Sequence, residues 1–361
     1  MRPSPPSIST TVAQDNRLPP ETFAEIFIHL SKQGPTLPRR KTSNFVRDLV
    51  SVTHVCRYWR QTAINTPGLW TEITMKNVKA VKAFLKRSGE LPLNVDLNSD
   101  LGSSKIVDAV IPHTHRFRQL SAFSYEDLRP FTKPAPLLER LVIHYFPEGR
   151  EILLFNNQTP QLRELMVAHG GLWLKNQLGN LTSLHFAISC NGQTHAAFHP
   201  FFDMLRRCPV LEDMVLFSDG GDVQLVPPQL PTIPLHHLRK LLLHSFSVES
   251  LNYFLRIFDL GTNGIAIHLS NVDIPEGDDP TSSIQTLFQN GRSGQPSFVS
   301  STKLEFIFRM PRTIVIHAVG PGFAIRIGLC LFDPAPPRQV SSIGRGTIGF
   351  SFNVHFLVPI F

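Results

Sequence analysis

At six near-regular places between residues 117 and 243, a Leu or Phe anchor, then two other residues, leads into an apolar pair or alternation. The matches are Phe117-Arg-Gln-Leu120, Leu138-Glu-Arg-Leu141-Val-Ile143 and Leu162-Arg-Glu-Leu165-Met-Val167. They continue with Leu181-Thr-Ser-Leu184-His-Phe186, Leu211-Glu-Asp-Met214-Val-Leu216 and Leu238-Arg-Lys-Leu241-Leu-Leu243. First anchors are 21, 24, 19, 30 and 27 residues apart, a spacing that straddles the roughly 20–29 residues of a stacked strand-and-turn unit. One short strand and one turn or helix cannot bury both faces alone. Successive units must therefore stack into a parallel sheet with a continuous core. Pro136, Pro160 and Pro209 each stand two residues before an anchor and mark strand entries. Between anchors, Phe198, Phe201, Phe202 and Leu205 fall at helical spacing, as do Leu251, Phe254, Leu255 and Phe258. They predict helices over 197–207 and 248–258.

The repeat is leucine-rich in type and irregular in spacing. It occupies less than half of 361 residues, of which 42% are hydrophobic. That is enough for a sizeable core and too much for a disordered chain. At about 150 residues per domain, the length suggests two domains or one long array. The net charge is +7, but charged residues make up only 17%, below the ~25% usual in soluble proteins. Such a thin background does not resemble the Lys/Arg stripe of a nucleic-acid binder. Cys56, Cys190, Cys208 and Cys330 form no CxxC pair, which argues against a disulfide scaffold or a Cys-rich zinc module. No uninterrupted run of about 20 apolar residues exists; the nearest, 314–332, is broken by His317, Pro321 and Arg326. Residues 1–15 lack the apolar segment of a secretory signal, so the sequons at Asn157 and Asn180 read as chance matches. The expectation is a soluble protein, cytoplasmic and/or nuclear, with no nucleic-acid or membrane partner.

Ahead of the repeat the periodicity is helical. Leu18-Pro19-Pro20-Glu21 places prolines at a helix start and an acid at its positive end. Phe23, Ile26, Phe27 and Leu30 then make one apolar stripe. Residues 31–45 form a loop with the basic run Arg39-Arg40-Lys41, read as a solvated loop rather than a nuclear-localisation patch. A second helix is expected from about Val46 to Ile64, with Leu49, Val52, Val55, Cys56, Trp59 and Ala63 on one face, ended by Asn65-Thr66-Pro67-Gly68. Leu69-Trp70 re-enters the core. A third helix over 76–88 has Gly89 placed to end it, and Leu91, Leu93, Val95 and Leu97 alternate as a strand. Past residue 260 the repeat fades. Strands are expected at 304–308, 313–319, 323–332 and 348–358, as a terminal sheet. The fold class is α+β or α/β. The organisation is a disordered leader (1–16), a helical unit (17–72), a linker helix and strand (73–112), the repeat region (113–260) and a strand-rich tail (261–361).

The segment from Leu18 to Trp70 resembles an F-box. The resemblance rests on Leu18-Pro19-Pro20-Glu21, on Ile26-Phe27 with Leu30, on Val52-Thr-His-Val55-Cys56-Arg57-Tyr58-Trp59-Arg60, and on Pro67-Gly68-Leu69-Trp70. It looks most like the F-box proteins abundant in mushroom-forming fungi, in which Leu85-Lys-Arg-Ser88-Gly-Glu-Leu-Pro92-Leu is also familiar. The match covers about the first 100 residues. It implies a three-helix F-box that docks a Skp-type adaptor and, through it, a cullin, followed by leucine-rich repeats that hold a protein substrate. Leu18, Pro19, Ile26, Phe27, Leu30, Val52, Val55, Cys56, Trp59 and Trp70 would be divided between the adaptor surface and the unit's own core. A unit of roughly 50 residues is marginal alone, and its apolar count points to a partner surface. The basic loop at 31–45 is longer than the family pattern.

No catalytic constellation stands out. Gly344-Arg-Gly346-Thr-Ile-Gly349 matches GxGxxG but precedes strand-like sequence, not a helix. His195 and His199 lack the Glu of a zinc HExxH motif; His113 and His115 lack a third ligand. Glu276, Asp278 and Asp279 lack calcium-loop spacing. Cys56 reads as a buried apolar thiol. The expectation is a non-catalytic subunit without cofactor or metal. The alternative is a protein-interaction scaffold outside ubiquitination that uses an F-box-like docking module.

Overall fold

The computed structural model describes residues 18–32, 42–74, 77–97, 104–145, 151–168, 173–188, 199–218, 232–260 and 265–270, with the backbone of 303–309, 313–320, 323–331 and 350–352. The chain divides into two compact units, residues 1–93 and 94–361.

The first unit holds helices α1 (Pro20–Lys32), α2 (Thr42–Val55) and α3 (Arg57–Ile64), then a 3-10 turn at Pro67–Trp70, strand β1 (Glu72–Ile73) and helix α4 (Val78–Arg87). The helix expected over 46–64 is two helices, broken at Cys56. This residue is extended and caps α3, its Sγ accepting the Trp59 N–H at 3.4 Å. Arg60 Nε donates to the Thr53 carbonyl at 2.8 Å, one of the last carbonyls of α2 that a helix end leaves without an internal partner. Cys56 is thus exposed rather than buried. A capping thiol carries no periodic signature, so the apolar pattern runs through the break. Trp70 is fully buried. Its indole N–H donates to the Ala63 carbonyl at 2.8 Å, and Phe84 meets its ring edge-on at 4.8 Å. The Arg87 guanidinium lies 4.3 Å from the ring centroid. In α4, Asn77 Oδ1 accepts the N–H groups of Lys79 and Ala80, and Gly89 leaves the helix at φ +57°, a conformation that costs a side chain about 1–2 kcal/mol.

The second unit is mixed α and β. Its elements are β2 (Leu93–Leu97), α5 (Ser104–Val110), β3 (Phe117–Ser124), α6 (Tyr125–Leu128), β4 (Arg140–Tyr145), β5 (Glu151–Ile152), β6 (Glu164–Val167) and β7 (Trp173–Leu174). Then come β8 (Ser183–Ile188), α7 (His199–Arg206), β9 (Asp213–Ser218), β10 (Ile233–Pro234), β11 (Lys240–His244), α8 (Val248–Ile257), β12 (Phe258–Asp259) and β13 (Ala266–Ser270). The main sheet runs β2-β3-β4-β6-β8-β9-β11-β13, and neighbours from β3 to β13 are parallel. The second anchors are register partners: Leu120, Leu141, Leu165, Leu184, Met214 and Leu241 face one another strand by strand. All are buried, each contributing about 1.5–3 kcal/mol of apolar transfer. Ile267 extends that row on β13, so the parallel sheet passes the expected end at 260. The alternation Ile265-Ala-Ile-His-Leu269 carried that signal. At the other end, β2 adds a strand before residue 113.

The connections stack as well. Phe117, Phe131 and Phe155 form a run with centroids 5.7 and 6.2 Å apart. Phe201 packs on Phe186, and Phe202 meets Phe254 of α8 at 6.4 Å. Asn176 brackets Leu154, its Oδ1 accepting the N–H at 2.9 Å and its Nδ2 donating to the carbonyl at 2.8 Å. Arg207 donates to the carbonyls of Asn176 and Leu174 at 3.0 and 2.6 Å. These side chains satisfy backbone groups that lie outside the main sheet. At the chain's end, β14 (Lys303–Arg309), β15 (Thr313–Gly320), β16 (Phe323–Leu331) and β17 (Phe350–Phe352) form an antiparallel sheet, close to the strands expected there. The rest of 348–358 lies outside the described residues.

Candidate functional site

The ten residues singled out by the sequence separate into two groups in the first unit. Phe27, 2% exposed, and Trp70 belong to the core. Trp59 is half-buried in an aromatic cluster, 5.3 Å from Phe23 and 5.4 Å from Phe27 by ring centroids. Val52 is half-buried. Outward lie Leu18 (45% exposed), Ile26 (41%) and Val55 (60%), with Pro19 and Cys56 also exposed. Leu30 falls in α1, with its side chain outside the described residues.

Local chemistry explains this division. On α1, Phe23 and Phe27 are four residues apart and meet each other at 5.8 Å, as neighbours on a helix face do. Ile26 lies off that face, and it stays in water. On α2 the buried position is Leu49, while Val50 and Val55 are exposed. The Leu18 position is set by Tyr58, whose hydroxyl donates to the Leu18 carbonyl at 2.9 Å, while Phe23 meets the Tyr58 ring edge-on at 5.7 Å. The entry segment is thereby tied to α3. Tyr58 was not among the singled-out residues, nor were the exposed Val50 and Ile64. The aromatic pair Tyr58-Trp59 was the available signal for the first. The exposure of the other two has no signature in a stripe pattern.

Large apolar side chains in water, over a core already filled by aromatics, suit a partner surface. The family comparison covers this same segment. Residues 15–76 match the family model described as F-box-like. The chain carries an F-box-like domain. No match among curated proteins accompanies it. The F-box-like domain spans α1, α2, α3, the 3-10 turn and β1, and so contains every residue of the candidate surface.

Among the described residues, the other sequence candidates do not assemble into a site. Among the described residues, no group of three or more His, Cys, Asp or Glu is placed to hold a metal ion. His113 Nδ1 lies 3.3 Å from Arg116 Nη1. His199 is exposed on α7, and its sequence partner His195 lies outside the described residues. So do Arg39-Arg40-Lys41, Glu276, Asp278, Asp279 and Gly344–Gly349. Burial pushes the Cys208 thiol up to about 12, which leaves it un-ionised and unreactive near neutral pH. No helix of the described residues is long and apolar enough to cross a membrane.

Proposed function

We propose that this protein is the substrate-recognition subunit of a Skp–cullin–F-box ubiquitin ligase. The F-box-like match over 15–76 carries the reading. In it, Leu18, Pro19, Ile26, Val50 and Val55 offer the Skp-type adaptor its apolar contacts, while Phe27, Trp59 and Trp70 hold the helices that present them. The adaptor brings the cullin. The second unit, with its irregular leucine-rich repeats, holds a protein substrate. The subunit itself is non-catalytic: it supplies proximity, and thioester chemistry belongs to other subunits. It needs no cofactor, and it works in the cytoplasm, the nucleus or both, without contacting nucleic acid or membrane.

The test is co-expression of the full chain with a Skp-type adaptor, followed by affinity capture. Capture is expected from the wild type and is expected to be lost on Ile26→Glu combined with Val55→Glu, with helical circular dichroism unchanged. Absence of capture by a folded wild-type chain overturns the proposal. A stable adaptor complex that recruits no cullin favours the scaffold alternative.

A further inference from the structure

The main sheet of the second unit has one face turned away from the Leu120–Leu241 row, and its side chains are ordered across the strands. One row consists of the register partners Arg140, Glu164, Ser183, Asp213 and Lys240. Two residues further along each strand comes a second row: Val142, Met166, His185, Val215, Leu242 and His268. Its members are half-buried except Val215, which is buried. Beyond it Phe217 is 37% exposed, its ring meeting His244 edge-on at 5.5 Å. The face is therefore an apolar band with a charged border. Sheet hydrogen bonds already occupy the backbone, so an occupant meets side chains only.

The border shows what kind of occupant fits. Its charges read plus, minus, neutral, minus, plus, centred on Ser183. Arg140 Nε lies 3.1 Å from Glu164 Oε1, which ties Glu164 on its outer side. A cation above Ser183 would stand one strand spacing, about 4.8 Å, from the acidic strands and two spacings from the basic ones. Because Coulomb energy falls as 1/r, the acids outweigh the bases there, with Arg140 offsetting part of the pull of Glu164 and Asp213 supplying the larger share. Toward the strand starts, Arg163 and Glu212 flank Thr182, to which they are joined by backbone hydrogen bonds, and their opposite charges cancel. His185, next to Ser183 on β8, has its pKa lowered, chiefly by burial, against the raising effect of Glu164 and Asp213 and with the help of Lys240 and Arg140. At neutral pH it adds no competing charge. The acidic centre disfavours phosphate and nucleic acid.

We infer that this sheet face docks an apolar segment of a protein partner bearing one Lys or Arg, with the cation seated over Ser183 between Glu164 and Asp213 and the apolar side chains lying along Val142, Met166 and Leu242. The inference deepens the reading of the second unit as the substrate-holding part. Its test does not pass through the adaptor, whose capture reports on the other surface and is scored separately.

The probe is a library of random dodecapeptides displayed on phage, selected on the immobilised full-length chain. Selected peptides are expected to carry a basic residue beside apolar ones. The double variant Glu164→Lys, Asp213→Lys is expected to select acidic peptides instead. Ser183→Lys, a milder change that places a cation in the site from within, is expected to weaken a selected basic peptide roughly tenfold or more by fluorescence anisotropy, with circular dichroism unchanged. Met166→Glu is expected to abolish binding. Selected peptides with no basic preference, or a preference unaltered in Ser183→Lys, overturn the inference. So does a concentration-dependent dimer that Met166→Glu dissolves, which would make the occupant a second copy of this chain.

Discussion

The two units leave apolar side chains in water in different ways. In the F-box-like domain the exposed ones are scattered singly along the chain: Leu18 before α1, Ile26 on α1, Val50 and Val55 on α2, Ile64 on α3. Those on the helices each sit one position off a buried or capping residue. In the second unit the half-buried apolar side chains of the sheet form rows, because parallel pairing places equivalent positions of successive strands side by side. The first arrangement depends on a few aromatic contacts holding three short helices at fixed angles. The second follows from register and is repeated strand after strand. A surface of the first kind should be lost when one core aromatic is lost. A surface of the second kind should degrade locally.

Removing Trp70 tests this contrast most severely. Trp70→Ala removes a fully buried ring, its hydrogen bond to Ala63 and its contact with Phe84, at an expected cost of about 3–5 kcal/mol. Thermal unfolding followed by Trp fluorescence should show the F-box-like domain melting far earlier, and adaptor capture should disappear. Leu184→Ala, in the middle of the register row, should cost about 2–5 kcal/mol and shift the second unit's transition while adaptor capture persists. If Leu184→Ala abolishes adaptor capture at a temperature where the chain is still folded, the contrast between the units is wrong. Asn176→Ala leaves the buried N–H and carbonyl of Leu154 without partners and should cost about 1–3 kcal/mol, read as a lower urea midpoint.

A smaller effect comes from acid. Burial lowers the pKa values of His185 and His244 from the ordinary value of about 6.5. The folded chain therefore binds fewer protons at these sites than the unfolded chain does. Their contribution is fully present above pH ~6.5 and is lost as pH falls through each folded value. Urea midpoints of the second unit measured downward from pH 7.5 should decline below that point, and less so in the variant with His185→Gln and His244→Gln. The smallest change in stability is expected at the candidate surface. Val55→Ser should alter stability by no more than roughly 0.5 kcal/mol, as exposed positions do, while weakening adaptor capture.

Much of the fold was legible because the second unit is built from pattern. The anchor spacing located strands β3, β4, β6, β8, β9 and β11, and the Phe spacing located α7 and α8. The F-box-like domain was legible through its string of residues rather than through periodicity. Periodicity alone merged α2 and α3, since Cys56 looks apolar by type and acts here as a hydrogen-bond acceptor. The end of the parallel sheet was misplaced because β13 keeps the alternation but lacks the paired anchors. The candidate surface was half legible. Sequence named Ile26 and Phe27, Val55 and Trp59 together, and a stripe cannot say which of two adjacent apolar residues faces inward.

The order of apolar residues along the chain thus determined that short strands must stack in parallel and that the segment before them, from about Pro20 to Ile64, must carry helices. Burial of one face of each element forces both, at a period of two in the strands and of 3.6 in the helices. Only the tertiary structure decided the rest. It turned Phe27 and Trp70 inward and Leu18 and Val55 outward, and it set Ser183 between Glu164 and Asp213. It also held Phe155, Asn156 and Asn157 at φ values of 52°, 51° and 60°, where Asn157 Oδ1 accepts the Gln177 N–H at 2.7 Å. Several of these depend on partners nineteen or more residues away in sequence, as Leu18 does on Tyr58, Phe27 on Trp59, Ser183 on Glu164 and Asn157 on Gln177, and side chains so separated acquire neighbours only when the chain has folded.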